Sequence, residues 1–327
     1  MSIQADTILD KNLEICDAHH HLWDFPNSKY LTDELLEDLS SGHNIISTIY
    51  IECGFAYNVD LPEHLASVGE TKFVDTLAGK VLKRTDGRSA VCKAIVGFTD
   101  LSRGAQTEES LAAHLEASAR FCGVRHATGW DADPNIRNAH THPTEGLMLT
   151  PSFEQGIRAL TALDLTFDAW LYHPQISELT MLAKNNPNQI IILDHLGGPI
   201  GIGSYANQKA VVFERWRKDI SSLAEHENVY IKLGGLAMRF SGMINKEETN
   251  ISPDQLAEVT APYYLHAIEM FGVERCMFES NFPVDRVGAS YRTIWSSFKH
   301  LTKNFSPSEK RALFKGTAEK VYCREIK

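Results

Sequence analysis

Ile15-Cys16-Asp17-Ala18-His19-His20-His21-Leu22-Trp23-Asp24 is the stretch on which the reading of the chain turns. Residues 15–22 form a short, mostly apolar run ending in three imidazoles, as expected of a buried strand with polar groups at its C-terminal end. Side chains alternate across a strand, so His19 and His21 point one way and His20 the other. Two imidazoles on one side of a strand end can share a divalent metal or grip one anionic substrate. Taken alone, His-x-His is equally a cluster whose N–H groups are satisfied by neighbouring backbone.

Working outward, similar β-rich runs recur at residues 45–51, 91–98, 121–126, 165–171, 189–195, 229–233 and 276–281. Helix-like segments lie between them. Leu111, Leu115 and Ala119 recur at helical spacing. Ser152…Gln155, Ser252…Gln255 and Ser306…Glu309 carry the capping-box pattern, with Pro253 and Pro307 at the first helical position. Eight strands alternating with helices predict an α/β fold, a single (β/α)8 TIM barrel, distorted and with long loops over its C-terminal mouth. Those loops are residues 53–90, 127–151, 196–228 and 234–261. A doubly wound open sheet is the alternative, but no Gly-x-Gly-x-x-Gly turn follows the first strand. No repeat or Pro/Ser-rich linker interrupts the chain, so residues 1–327 read as one domain.

A chain of 327 residues, 43% hydrophobic, can bury a large core, and its formal net charge of −10 disfavours nucleic acid and anionic membrane surfaces as partners. No apolar run reaches transmembrane length, and the N-terminus lacks the basic and apolar regions of a secretory signal. The six cysteines show no Cys-x-x-Cys spacing and read as free thiols in a reducing, cytoplasmic compartment. The expected partner is a small-molecule substrate; homo-oligomerisation is left open.

The barrel makes a test possible, because active sites lie at the C-terminal ends of the strands. Polar residues gather there: His19 and His21, Glu52, Arg125-His126, His173, Asp194-His195, Lys232, and Glu279-Ser280-Asn281. Arg125 and Lys232 are candidate anchors for substrate carboxylates. The competing readings are an Arg125 salt bridge to Asp131 or Asp168, and a Lys232 pair with a buried acid such as Glu279. Asp194 reads as an outward or backbone-capping residue, and Trp23 as a stacking platform or simple packing. His140 and His142 read as part of a solvated loop.

The motifs Asp17–Trp23, Gly123-Val124-Arg125-His126, Leu171-Tyr172-His173-Pro174-Gln175, Leu193-Asp194-His195-Leu196-Gly197-Gly198-Pro199 and Glu279-Ser280-Asn281-Phe282-Pro283 appear in one order along the chain. In this the chain resembles the amidohydrolase-related TIM-barrel hydrolases, in the branch of fuconolactonase, 2-pyrone-4,6-dicarboxylate lactonase and sulfomuconolactone hydrolase. The resemblance implies hydrolysis of a small lactone. It implies that His19 and His21 are metal ligands, zinc being the first choice, that His195 moves a proton, and that His173 touches substrate or metal. The family's eighth strand ends in Gly-Ser-Asp-Trp-Pro; here Asn281 stands in place of that Asp. An amide cannot accept a proton as a carboxylate does. Glu279, Glu52 and Asp285 are candidate replacements, and with Asn281 in that place the metal is expected either to be retained or to be lost. The resemblance leaves two rivals: a metal-dependent decarboxylase, and an inactive barrel kept for binding.

Overall fold

The computed structural model describes residues 8–84, 90–244 and 251–323. β1 (Glu14–His20) leads into a small antiparallel hairpin, β2 (Trp23–Phe25) and β3 (Ser28–Tyr30). Seven further strands follow: β4 (Asn44–Ile51), β5 (Ala90–Gly97), β6 (Phe121–Arg125), β7 (Thr166–Ala169), β8 (Ile191–Leu193), β9 (Val229–Leu233) and β10 (Cys276–Phe278). The large sheet runs β1-β4-β5-β6-β7-β8-β9-β10 with every neighbouring pair parallel. Helices α1 (Thr32–Leu39) to α8 (Tyr291–Leu301) alternate with these strands, among them α4 (Pro151–Ala162), α6 (Lys209–Ala224) and α7 (Pro253–Phe271). The predicted eight-stranded barrel is therefore the fold.

It is nearly closed, with one unsealed seam between β1 and β10. Among the described residues one isolated bridge, His20 to Phe282, crosses the seam. There His21 N–H donates to the Phe282 carbonyl at 2.8 Å, and Asn281 N–H to the His19 carbonyl at 2.9 Å. Further down, the Asp17 carboxylate does what a ladder would do. It accepts from Ser280 N–H and Tyr291 O–H, each at 2.9 Å. Burial pushes this carboxyl up to about 6 against those hydrogen bonds.

The capping pairs Ser252/Gln255 and Ser306/Glu309 start α7 and α9 (Pro307–Arg311) as predicted. Ser152 does not cap α4. Pro151 forces the residue before it into extended backbone, so Thr150 becomes the N-cap and accepts from Phe153 N–H. Strands β7, β8 and β10 are each at least three residues shorter than their apolar runs. Positive φ at His195 (53°), Leu196 (58°) and Asn281 (52°) turns the chain out of the sheet beyond β8 and β10.

Two apolar layers fill the fold. The outer one packs strand residues such as Val124, Phe167 and Leu193 against helix residues such as Phe153, Trp216 and Phe298. The inner one fills the barrel's lower half with Ala18, Ile49, Val96, Ile192 and Met277. The closing helix α10 (Thr317–Tyr322) plugs this layer with Ala318, Val321 and Tyr322. Each large side chain so buried contributes about 1.5–3 kcal/mol. With its lower half sealed by apolar groups, the interior is left open to polar chemistry only at the strands' C-terminal ends. All six cysteines are free thiols. No helix among the described residues is long and apolar enough to cross a membrane.

Candidate active site

Strand parity puts His19 and His21 inside the barrel mouth and turns His20 outward, where its Nε2 lies 2.8 Å from Thr48 Oγ1. The Nε2 atoms of His19 and His21 are 3.2 Å apart. His21 Nδ1 lies 2.8 Å from the Ile51 carbonyl, which fixes its proton there and leaves Nε2 free. Burial holds both imidazoles well below their usual range, reinforced by Lys232 at His19 and by Arg125 at His21. Both are therefore neutral rings.

The turn after β8 brings Asp194 and His195 to the same place. The rings of His19 and His195 are 4.5 Å apart. Glu279, just past β10, joins them: its Oε1 is 2.6 Å from His195 Nδ1 and its Oε2 is 2.9 Å from His19 Nδ1. Gly234 and Gly235 after β9 make this approach sterically feasible. A Cβ on Gly234 would lie 2.2 Å from Glu279 Cγ, and one on Gly235, at φ +73°, would lie 2.5 Å from His195 Cβ.

Two buried cations complete the cluster. Arg125 donates from Nε to Glu52 Oε1 at 2.7 Å and from Nη2 to the Glu52 carbonyl, with Nη1 3.4 Å from His19 Nε2. Its salt-bridge partner is thus Glu52, not Asp131 or Asp168. Burial opposes ionisation of Glu52, but Arg125 and His140 outweigh it and hold that carboxyl well below the usual range. Lys232 is fully buried between Asp168, at 2.6 Å, and Asp194, at 2.9 Å. These carboxylates raise its pKa despite burial. It sits beneath the mouth with protein acids, so the carboxylates it holds are the protein's own.

A cavity of about 830 Å³ opens above this cluster. His21, Arg125, His195 and Asn281 line its depth, while Trp23, Trp170, Tyr172 and Phe240 form apolar walls. Arg137, His140 and Arg239 also line it. A second cavity, about 850 Å³, lies against α9 at the other end of the barrel and contains none of the clustered histidines. Asn281 donates from Nδ2 to Asp285 Oδ1 at 2.9 Å, and its own Oδ1 is buried without a hydrogen-bond partner among the described residues. Asp285 is pushed up to about 7 by burial, against that hydrogen bond.

The structure thus brings His19, His21, Arg125, His195, Glu279 and Asn281 together, with Trp23 on the wall and Lys232 below. His173 stands apart: its Nδ1 accepts from Ile200 N–H at 3.3 Å and its ring packs on Tyr205. Sequence reasoning set aside two residues that the fold recruits. Asp194 points inward. His140 reaches from its loop to 3.2 Å from Glu52 Oε2. The two aromatic walls flanking Leu171, Trp170 and Tyr172, were visible only as an aromatic-rich strand end.

The residues fit a divalent metal. His19, Asp194 and His195 offer ligand atoms all within 4.8 Å of one another. The 3.2 Å between His19 Nε2 and His21 Nε2 is close to the roughly 3.3 Å that two nitrogens keep on one tetrahedral zinc with bonds near 2.0–2.1 Å. Both Asp194 oxygens, Glu279 Oε2 and Asn281 Oδ1 are buried without hydrogen-bond partners among the described residues. Asp194 Oδ1 lies 2.9 Å from Lys232 Nζ, and Glu279 Oε2 2.9 Å from His19 Nδ1, but neither contact is aligned as a hydrogen bond. Such oxygens want a cation.

The amidohydrolase family model matches residues 16–324. The chain belongs to the amidohydrolase family. An uncharacterized protein, y4mH, of Sinorhizobium fredii is 32% identical to it over 334 residues, covering 95% of this chain and 99% of that one. L-fucono-1,5-lactonase of Burkholderia multivorans is 23% identical, covering 94% of this chain and 95% of that protein. Among solved structures, an amidohydrolase from Burkholderia multivorans with bound zinc superimposes with a TM-score of 0.72 at 22% identity, covering 94% of this chain and 99% of that one. In this amidohydrolase an acid stands just past the eighth barrel strand at Glu279, two residues before Asn281, and that carboxylate faces His19 and His195.

Proposed function

We propose that this amidohydrolase opens a small, anionic lactone by attack of water on the ester carbonyl. The observation that carries the reading is the contact of His195 Nδ1 with Glu279 at 2.6 Å beneath a cavity that His195 also lines. A hydrogen bond this short fixes the orientation of the ring. Nε2 is the nitrogen left to face a reactant. The relation to a lactonase supports the choice of ester. Arg125, Arg137 and Arg239 at the cavity supply positive charge for a carboxylated substrate, and the four aromatic walls supply apolar contact.

His195 takes a proton from water as the oxygen adds to the carbonyl carbon. Negative charge gathers on the carbonyl oxygen, and the Arg125 guanidinium, which lines the depth of the cavity, is placed to stabilise it. Collapse breaks the ring C–O bond. His195 returns its proton to the departing ring oxygen, giving a hydroxy acid. Glu279 holds the imidazole throughout. His19, His21 and Asp194, with His195 close by, would hold a divalent ion, zinc by its nitrogen-rich donors. Such an ion, when bound, supplies a Lewis acid beside the carbonyl. The free thiols fit a reducing, cytoplasmic setting.

A panel of neutral sugar lactones and carboxylated lactones, assayed with zinc-loaded protein by acid release, tests this. Turnover is expected, fastest on carboxylated members. No turnover of any lactone would reject the proposal; preference for neutral lactones would reject its anionic part.

A further inference from the structure

We propose that Lys232 stands where a metal ion could: its ammonium fills a cation pocket built by Asp168 and Asp194 beside His19, and so keeps an additional divalent ion out of the barrel. This goes beyond the lactonase reading and needs no substrate to be known.

The donor set is the first observation. Lys232 Nζ lies 2.6 Å from Asp168 Oδ2, 2.9 Å from Asp194 Oδ1 and 3.2 Å from His19 Nδ1. Carboxylate oxygens from two strands are donors that zinc and similar ions take, and Asp194 can bridge toward the ion held by the histidines. The second observation is unused acceptor capacity. Asp168 Oδ1 and both oxygens of Asp194 are buried without hydrogen-bond partners among the described residues. Three ammonium protons do not exhaust this pocket.

Charge gives the third argument. Arg125 is engaged with Glu52 at 2.7 Å and reaches Asp194 Oδ2 only at 3.9 Å. Lys232 is thus the close counter-charge for two fully buried acids. Without it, both carboxylates are stranded in low dielectric, a costly state that one small dication relieves. The pocket is held from below. Tyr322 O–H donates to Asp168 Oδ2 at 2.6 Å, and its ring centre is 5.3 Å from Nζ. Removing the lysine therefore leaves Asp168 fixed in place. An ordinary structural ion pair would simply lose stability on losing its lysine; a pocket with metal-like donors takes up an ion instead.

The test compares wild type, Lys232→Met and the double variant Lys232→Met/Asp168→Asn. Each is saturated with zinc, freed of loose ion by gel filtration and counted by mass spectrometry. Lys232→Met is expected to hold one zinc per chain more than wild type, and to melt higher with zinc than with chelator by a wider margin than wild type. The double variant, with one acid removed, is expected to return to the wild-type count. Equal counts in wild type and Lys232→Met would overturn the proposal. So would an extra ion that persists in the double variant, because it would lie elsewhere. A Lys232→Met protein that zinc cannot keep folded would overturn it too, since the ion is required to replace the ammonium. Lactone turnover is not read in any arm, so failure of the lactonase reading would be seen separately.

Discussion

Glu279 contacts His195 Nδ1 through one carboxylate oxygen, at 2.6 Å, and presents its other oxygen to His19 Nδ1 at 2.9 Å. One side chain thus ties the first barrel strand to the turn after the sixth. If it orients the proton carrier, Glu279→Gln should lower kcat by about 10²-fold or more with little change in KM, the scale of impaired general acid–base catalysis. Asn281→Asp should gain little, because the carboxylate is already supplied. Steady-state kinetics on the best lactone of the panel decide this. A Glu279→Gln enzyme with wild-type kcat would remove the residue from the mechanism.

Protein purified without chelator is expected to carry about one zinc-class ion per chain, the stoichiometry of a single mononuclear site. His21→Ala should abolish that ion while the circular dichroism spectrum stays that of the folded barrel. Metal counting on both proteins is the measurement. Unchanged metal content in the variant would move the ligands away from the first strand.

Gly234 leaves room for Glu279, since a Cβ there would stand 2.2 Å from Cγ. Gly234→Ala should therefore cost about 1–3 kcal/mol in stability, the usual price of overpacking, and lower turnover by shifting Glu279 off His195. Thermal melting and kinetics read the two effects. An alanine variant matching wild type in both would mean that the acid needs no such clearance.

Buried neutral histidines set a pH dependence. His114 and His126 are each held at about 4 by burial, below an ordinary 6.5. Unfolding lets each bind a proton below pH 6.5, so the stability tied to their neutral forms is complete above that pH. It is lost as pH falls toward 4, on the order of 3 kcal/mol per ring. Buried carboxyls with raised values, such as Glu70 at about 7, act in the opposite direction, so a difference measurement is needed. His114→Gln should lose less stability than wild type between pH 6.5 and 4. Parallel melting curves across that range would contradict the assignment.

Much of this site was legible in the sequence because strand alternation is a strong rule. It puts His19 and His21 on one side and His20 on the other. It misread Asp194 for the same reason. Alternation would point Asp194 away from His195, but positive φ at His195 and Leu196 ends the strand and lets both side chains reach His19. Partner choice was equally hidden. Arg125 takes Glu52 and Lys232 takes Asp168, each across one intervening strand, because alternate strands of a barrel bring their inward side chains into one layer, and that layering depends on barrel stagger. His140 arrives from a loop, where no periodicity reports direction.

The unsealed seam has a mechanical meaning. His19 and His21 stand on one lip, Glu279 and Asn281 on the other, and few hydrogen bonds clasp the two staves between them. Anything gripped by both lips, whether cation or substrate, becomes the missing fastener of the cylinder. Occupancy is then expected to tighten the wall, and hydrogen exchange should find the amide protons of His21 and Asn281 slower when the mouth is filled. A change at His19 acts twice, once on chemistry and once on whether the cylinder stays shut.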